Sequence, residues 1–358
     1  MVTSRRTQFA GDPGSSAVLL RPSPNLGMRQ GTFGVDLAAS LECTSVETEF
    51  VDWLLAHIPA DARLEVPSGD DAAVLRPPAM RRSVVTVDML TEGVDFILGP
   101  NCSPQAVGHK ALAVSLSDLA AMAARPEAAL VAVALPRKGG DAIGRGLFQG
   151  IMALAAEHGV TLAGGDTNAW DGPLVVSVTA IGSVPPGRAW RRDGAQPGDH
   201  LLITGPLGGS LLGRHLAVSP RCREAARIAE KFVVHAAIDV SDGLSLDMAR
   251  MMRASGTRGV LHLADIPIHP DAIRMSRSAG DTQSPLEHAL ADGEDFELLL
   301  AMPPSEARDL LAATQSGQID LQIAMIGTVE SGSGLTAIHA DGACHPLEPK
   351  GFLHAFES

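Results

Sequence analysis

Aspartates are the residues of this sequence best placed for chemistry, by position more than by number. Asp70-Asp71 follows Gly69 in a turn-rich stretch, Asp88 closes the run Val84-Val85-Thr86-Val87, and Asp118 lies inside the otherwise apolar segment 111–124. Gly164-Gly165-Asp166-Thr167 follows a short apolar strand, and Asp239-Val240-Ser241-Asp242-Gly243 ends another. A carboxylate beside an apolar strand is costly to bury unless a cation or hydrogen bonds compensate it. Lysine is scarce, at positions 110, 138, 231 and 350 only. Carboxylates converging at strand ends suit Mg²⁺, a hard ion that takes oxygen ligands and bridges to substrate phosphates. Taken singly, an Asp-Gly or Gly-Asp pair is more often a turn or a helix cap. Five such sites at strand ends favour the metal. Gly69, Gly164-Gly165, Gly205, Gly208-Gly209 and Gly243 read either as plain turns or as places where backbone N–H groups approach phosphate oxygens.

These residues need strands and helices to bring them together. Phe50, Val51, Leu54, Leu55 and Ile58 recur at helical spacing and predict an opening helix over 47–58. Strands are expected at 83–88, 128–135, 174–184, 201–204, 237–240, 259–263 and 296–301, and helices at 104–124, 143–158, 224–233, 244–254 and 305–314. Met248, Met251 and Met252 read as packing in one of those helices. The alternation defines an α/β (α+β) chain of two halves joined near Pro185-Pro186-Gly187. We expect domains at 47–187 and 188–358, preceded by a disordered extension over 1–46, where Gly, Pro, Ser and Arg mix without periodicity. That extension holds four Arg against three acidic residues, so the formal charge of −13 belongs to residues 47–358, which carry −14.

The same text excludes much. A chain with 28 Lys and Arg against 41 Asp and Glu offers no basic surface for a phosphate backbone, and with aromatics at 3% it offers few stacking platforms. No apolar run reaches the ~18–20 residues of a membrane span. Ser4-Arg5-Arg6 is followed by Gly11-Asp12-Pro13-Gly14, where an export signal needs an apolar segment. Cys43, Cys102, Cys222 and Cys344 are scattered, which predicts reduced thiols in a cytoplasm. There is no GxxxxGK[ST]; Gly144-Arg145-Gly146-Leu147-Phe148-Gln149-Gly150 misses the dinucleotide spacing, and HExxH, GxSxG and the kinase motifs are absent. His109, His215 and His262 read as structural or surface groups.

In order along the chain, the Asp-centred segments resemble the thiamine-monophosphate kinase family of the aminoimidazole-ribonucleotide-synthetase-like superfamily. The matching text includes Ser68-Gly69-Asp70-Asp71-Ala72-Ala73-Val74-Leu75, Thr86-Val87-Asp88-Met89-Leu90-Thr91-Glu92-Gly93-Val94 and Lys110-Ala111-Leu112-Ala113-Val114-Ser115-Leu116-Ser117-Asp118-Leu119-Ala120-Ala121-Met122. It continues through Gly164-Gly165-Asp166-Thr167, Arg192-Asp193-Gly194-Ala195, Ile238-Asp239-Val240-Ser241-Asp242-Gly243-Leu244, Gly293-Glu294-Asp295-Phe296-Glu297-Leu298 and Lys350-Gly351-Phe352, covering about residues 47–353. The resemblance implies transfer of the γ-phosphoryl group of ATP to thiamine monophosphate, with several Mg²⁺ ions. It also implies a homodimer in which N-terminal mixed sheets pair into a barrel, while each C-terminal α/β half completes an active site. By the same resemblance Asp71, Asp88, Asp118, Asp166, Asp239 and Asp242 hold Mg²⁺, with Asp70 as a companion. Gly165, Asp166, Arg192 and Ser241 contact ATP; Glu294 and Phe352 hold the thiamine substrate; and Lys110 is either near the phosphates or structural. Asp95 stands at a substrate-contact position where the family usually has His, Asp292 where a second Gly is usual before Glu294, and Asn168 where Thr is often repeated. Among relatives, an aminoimidazole-ribonucleotide synthetase is the alternative enzyme, and a catalytically silent thiamine-nucleotide binder the alternative of another class.

Overall fold

The computed structural model describes residues 49–67, 74–76 and 78–353. The extension over 1–46 and the candidate ligands Asp70 and Asp71 lie outside the described residues. In chain order the first half comprises α1 (49–57), the two-stranded ladder β1 (Leu64–Val66) and β2 (Val74–Leu75), β3 (Arg82–Thr91), α2 (Pro104–Ala121), β4 (Arg125–Pro136), α3 (Gly140–His158), β5 (Thr161–Trp170) and β6 (Val175–Val184). The second comprises β7 (His200–Thr204), α4 (Cys222–Lys231), β8 (Ala236–Asp239), α5 (Leu244–Ser255), β9 (Thr257–His262), α6 (Pro270–Met275), α7 (Pro285–Ala291), β10 (Leu298–Met302), α8 (Pro304–Gln315), β11 (Ile323–Ser331), β12 (Gly334–Ile338) and β13 (Cys344–Pro346).

Two mixed sheets result. The first has the order β3-β6-β4-β5, with only β4 and β5 parallel. The second has the order β13-β12-β9-β11-β7-β10-β8, with only β12 and β9 parallel. Strand β10 is buried along its whole length. Leu298 and Leu300 face one apolar cluster while Leu299 and Ala301 face another, as side chains alternating across a sheet covered on both sides must. Met248, Met251 and Met252 fill the second cluster, as their spacing predicts.

The first cluster does not stop at the join between halves. It runs from Leu112, Leu116 and Val178 to Cys222, Ile228, Leu298 and Leu310. Helix α2 is the shared element, packed against β3, β6 and α3 on one side and α4 and β8 on the other. Its apolar residues surround the axis instead of forming a stripe, and Leu112, Leu116 and Leu119 are fully buried. Pro104 at its first turn and the Ser103 hydroxyl, accepting from the Ala106 N–H at 3.2 Å, fix where it starts. Gly108 lets α3 approach closely, since a Cβ there would fall 1.9 Å from the Leu147 carbonyl oxygen. Strand β3, at the sheet edge, turns Thr86 and Asp88 toward α2 and leaves Val85, Val87 and Met89 about two-thirds exposed on the opposite face.

Several elements differ from expectation. Strand β5 does not end before Gly164 but runs through the motif to Trp170 in register with β4, past a shift between Ala129 and Leu130. Strands β11, β12 and β13 and helices α6 and α7 are additional to the expected set. For α7 a signal was present: Ser284 and Glu287 form a reciprocal capping box around Pro285.

Candidate functional site

Two strands, β3 and β8, meet at α2. The Ser115 hydroxyl donates to Asp88 of β3 at 2.7 Å, and the Ser117 hydroxyl donates to Asp239 at the end of β8, also at 2.7 Å. Two residues along a helix are about 200° apart, so one serine faces the first sheet and the other the second. Asp118 accepts from the Thr86 hydroxyl of β3. Burial, and then the neighbouring Asp118 charge, push the Asp88 carboxyl up to about 6, against the pull of the Ser115 hydroxyl. Asp239, buried at the strand end, is raised by burial first and by Asp118 second, with Ser117 and Arg192 opposing. Beside this group lies a cleft of about 450 Å³ whose lining includes Thr86, Asp118, Met122 and Arg192. Burial and the Asp118 charge raise the proton affinity of Asp88 and Asp239, and all three carboxylates accept from hydroxyls, a donor set that fits a hard divalent cation. Among the described residues no three His, Cys, Asp or Glu side chains stand together as a ready-made metal cage. Magnesium commonly takes one or two carboxylates and completes its shell with water and substrate phosphates.

A second cluster hangs on the loop after β8. The Ser241 carbonyl accepts from the Glu294 N–H at 2.7 Å, and the Asp242 carbonyl accepts from the Phe352 N–H at 2.9 Å. Glu294 and Phe296 adopt left-handed backbone angles, φ 58° and 52°, which non-glycine residues hold only when their surroundings over-determine them. Lys110, fully buried in α2, donates to the Asp95 carbonyl at 2.9 Å and pairs with Glu294 at 2.7 Å. Burial raises the Glu294 carboxyl, and Lys110 works against that rise. Asp95 turns its own carboxylate into the turn, where it accepts from the Thr91 N–H at 2.7 Å. Asp242 pairs with Arg250, which also reaches Asp247 at 2.6 Å.

Gly165 and Asp166 stand exposed on β5, an edge strand, opposite Val131 and Ala132 of β4. The candidates therefore fall into three groups: Asp88, Asp118 and Asp239 with Arg192; Asp95, Ser241, Asp242, Glu294 and Phe352; and the exposed pair on β5. Thr86, Ser115, Ser117 and Arg250, which hold the carboxylates, were not singled out from sequence. A hydroxyl inside the mostly apolar stretch 111–121, which needs a buried partner, is the available signal for both serines. One of the candidate phosphate turns, Gly208-Gly209, is occupied by protein: the Gly208 N–H donates to Asp295 and the Gly209 N–H to Asp292. His109 donates through Nε2 to the Val218 carbonyl at 2.7 Å, and His215 through Nδ1 to the Ser210 carbonyl at 2.9 Å, structural contacts in both cases.

Two sheets sharing one helix, with carboxylates gathered along it, define an AIR-synthase-like architecture. Residues 69–184 match the AIR synthase related protein N-terminal domain, and residues 196–340 the corresponding C-terminal domain. A thiamine-monophosphate kinase of Rhodopirellula baltica is 40% identical over 316 residues, spanning 86% of this chain and 97% of that protein. The crystal structure of thiamine-monophosphate kinase from Stenotrophomonas maltophilia K279a aligns with a TM-score of 0.70 at 32% identity, covering 83% of this chain and 96% of that one. A structure of AaThiL complexed with AMPPCP and TMP aligns with a TM-score of 0.66 at 26% identity, covering 91% and 99%. The chain belongs to the thiamine-monophosphate kinase family of AIR synthase related proteins. No helix among the described residues is long and apolar enough to cross a membrane.

Proposed function

We propose that this protein transfers the γ-phosphoryl group of ATP to thiamine monophosphate, giving thiamine diphosphate and ADP. The observation that carries the reading is the meeting of Asp88, Asp118 and Asp239 along α2, each carboxylate held by a hydroxyl and none by a lysine. Acidic side chains cannot bind phosphates directly, so they act through Mg²⁺, with Asp166, Asp242, Asp70 and Asp71 as the further ligands the family resemblance implies. Bound there, Mg²⁺ screens the charge of two polyanionic substrates and stabilises charge on the transferring group. Ser115, Ser117 and Thr86 orient the carboxylates before substrate arrives, which keeps positioning cost low. Arg192, at the rim of the cleft beside Asp118, supplies positive charge for nucleotide phosphates, with Gly165 and Ser241 as the remaining nucleotide contacts. Glu294, Phe352 and the 91–96 turn carrying Asp95 form the thiamine end. The acceptor is a phosphate oxygen, already ionised near neutral pH, so no side chain has to act as general base. Transfer is direct and in line, without a phosphoenzyme.

The exposed apolar face of β3 supports a homodimer formed through the first sheet, and the scattered, unpaired thiols Cys102, Cys222 and Cys344 support a reducing, cytoplasmic setting. The test is incubation with Mg-ATP labelled at the γ position and thiamine monophosphate. Labelled thiamine diphosphate, with no label trapped on protein, is the expected result. Binding of both ligands without product would make the protein a silent binder, and covalently trapped label would overturn direct transfer.

A further inference from the structure

We infer that Lys110 is a positioning residue for the thiamine end of the site, acting through Glu294 and the 91–96 turn; the inference rests on the function proposed above. Lys110 is 0% exposed. A lysine without solvent needs its charge compensated inside the protein, and here both partners belong to segments assigned to the thiamine substrate. One is the Glu294 carboxylate at 2.7 Å, the other the Asp95 carbonyl at 2.9 Å. The two segments lie on opposite halves of the chain, and α2, which carries the lysine, is packed between those halves.

The geometry separates holding from contacting. The Glu294 side chain keeps 24% of its surface exposed while Lys110 keeps 1%, so the carboxylate is backed by the ammonium and still presents an open side to a ligand. The backbone of Glu294 sits in the left-handed region and is tied by its N–H to Ser241. The ion pair adds the side-chain restraint that the backbone tie cannot supply. The turn is fixed in the same way: Asp95 accepts from Thr91 through its side chain and from Lys110 through its carbonyl. One buried ammonium therefore sets the spacing of a carboxylate and a turn.

Position along α2 makes the role specific. Lys110 and Asp118 are eight residues apart, about 12 Å at 1.5 Å per residue. Asp118 lines the cleft with Arg192, whereas Lys110, nearer the N-terminus of the helix, pairs with Glu294. Loss of Lys110 should disturb thiamine monophosphate and spare ATP.

The experiment compares wild type, Lys110→Met, Lys110→Arg, Glu294→Gln and the double variant K110M/E294Q, using steady-state kinetics for each substrate and calorimetric binding of thiamine monophosphate alone. Lys110→Met should raise KM for thiamine monophosphate about 10-fold or more, the scale of a lost charge-assisted contact, and leave KM for ATP within about 2-fold of wild type. Lys110→Arg, which keeps the charge, should recover part of that loss. The double variant should lose less binding of thiamine monophosphate than the two single losses multiplied together, because with Glu294 neutral Lys110 has only the 91–96 turn left to position. It also leaves no unpaired buried charge, so it can be compared with Glu294→Gln even if Lys110→Met does not fold. An unchanged KM in Lys110→Met, an equal rise for both substrates, or a multiplied loss in the double variant would each overturn the inference. Wild type that binds thiamine monophosphate without turnover leaves the binding comparison to decide on Lys110; wild type that does not bind it removes the proposed function and this inference together.

Discussion

Substitution of Asp88 by Asn should stabilise the metal-free protein while abolishing its phosphoryl transfer. The folded protein holds the Asp88 proton up to about pH 6, whereas the unfolded chain releases it near the ordinary value of 3.8. Between those values the native state binds more protons than the unfolded state, so stability falls as pH rises through that window. The difference of about 2.2 units, at about 1.4 kcal/mol each, corresponds to up to about 3 kcal/mol lost by pH 7. Asparagine is neutral at every pH and removes this loss, while its carbonyl can still accept from Ser115. Allowing for the new amide protons, the gain should be about 1–3 kcal/mol at pH 7, or about 2–6 °C in Tm. The assay is thermal unfolding in EDTA at pH 3.5 and pH 7, together with turnover in saturating Mg²⁺. The two proteins should melt alike at pH 3.5 and diverge at pH 7. An Asn variant less stable at pH 7, or a gap independent of pH, would refute burial and Asp118 repulsion as the cause. Retained turnover would remove Asp88 from the ligand set.

Two further perturbations test the nucleotide edge and the open face. Gly165→Ala would put a Cβ 1.9 Å from the Val131 carbonyl oxygen, so β5 must move away from β4; we expect a cost of about 1–3 kcal/mol and a raised KM for ATP. Unchanged melting and KM would mean that β5 relaxes without consequence. Val87→Asp adds charge to an exposed position of β3 and should convert the proposed dimer to a folded monomer in sedimentation, with circular dichroism unchanged; a dimer that persists would move the interface elsewhere.

The parts of the fold and site that were legible are those where one residue violates its local pattern. Asp88 after an apolar alternation and Asp118 inside an apolar stretch stand out because burial makes them expensive, and both are held against neighbouring elements, although Asp88 lies within β3, which runs on to Thr91, and does not close it. The hidden parts depend on partners distant in sequence. Lys110 and Glu294 are far apart in the chain, and nothing local to either tells which one compensates the other. Strand β5 was cut short because Gly164-Gly165 reads as punctuation, whereas Gly165 serves close approach to β4 and the strand continues. Strand β11 contains Gly327 and its exposed and buried residues do not alternate cleanly, so its pairing partners decide its conformation, while β12 alternates but is only five residues long and opens on Gly334. The turn at Gly208-Gly209 shows the reverse case, since its N–H groups suit phosphate in principle and are taken by Asp295 and Asp292 in fact.

Helix α2 explains how a chain with a surplus of 13 negative charges can handle two phosphate-bearing substrates. Charge is not neutralised residue by residue but arranged along one buried axis. Lys110 stands nearer the N-terminus, compensating Glu294; Ser115, Ser117 and Asp118 stand nearer the C-terminus, among the carboxylates Asp88 and Asp239 that Asp118 repels. A rigid helix fixes the distance between these ends more tightly than two loops could. Its all-round apolar packing also ties that distance to both halves of the protein, so that a shift of either half would misplace a carboxylate at one end and Glu294 at the other. The same burial that makes the helix rigid raises the proton affinity of Asp88 and Asp239, which is the electrostatic tension that a bound cation would relieve.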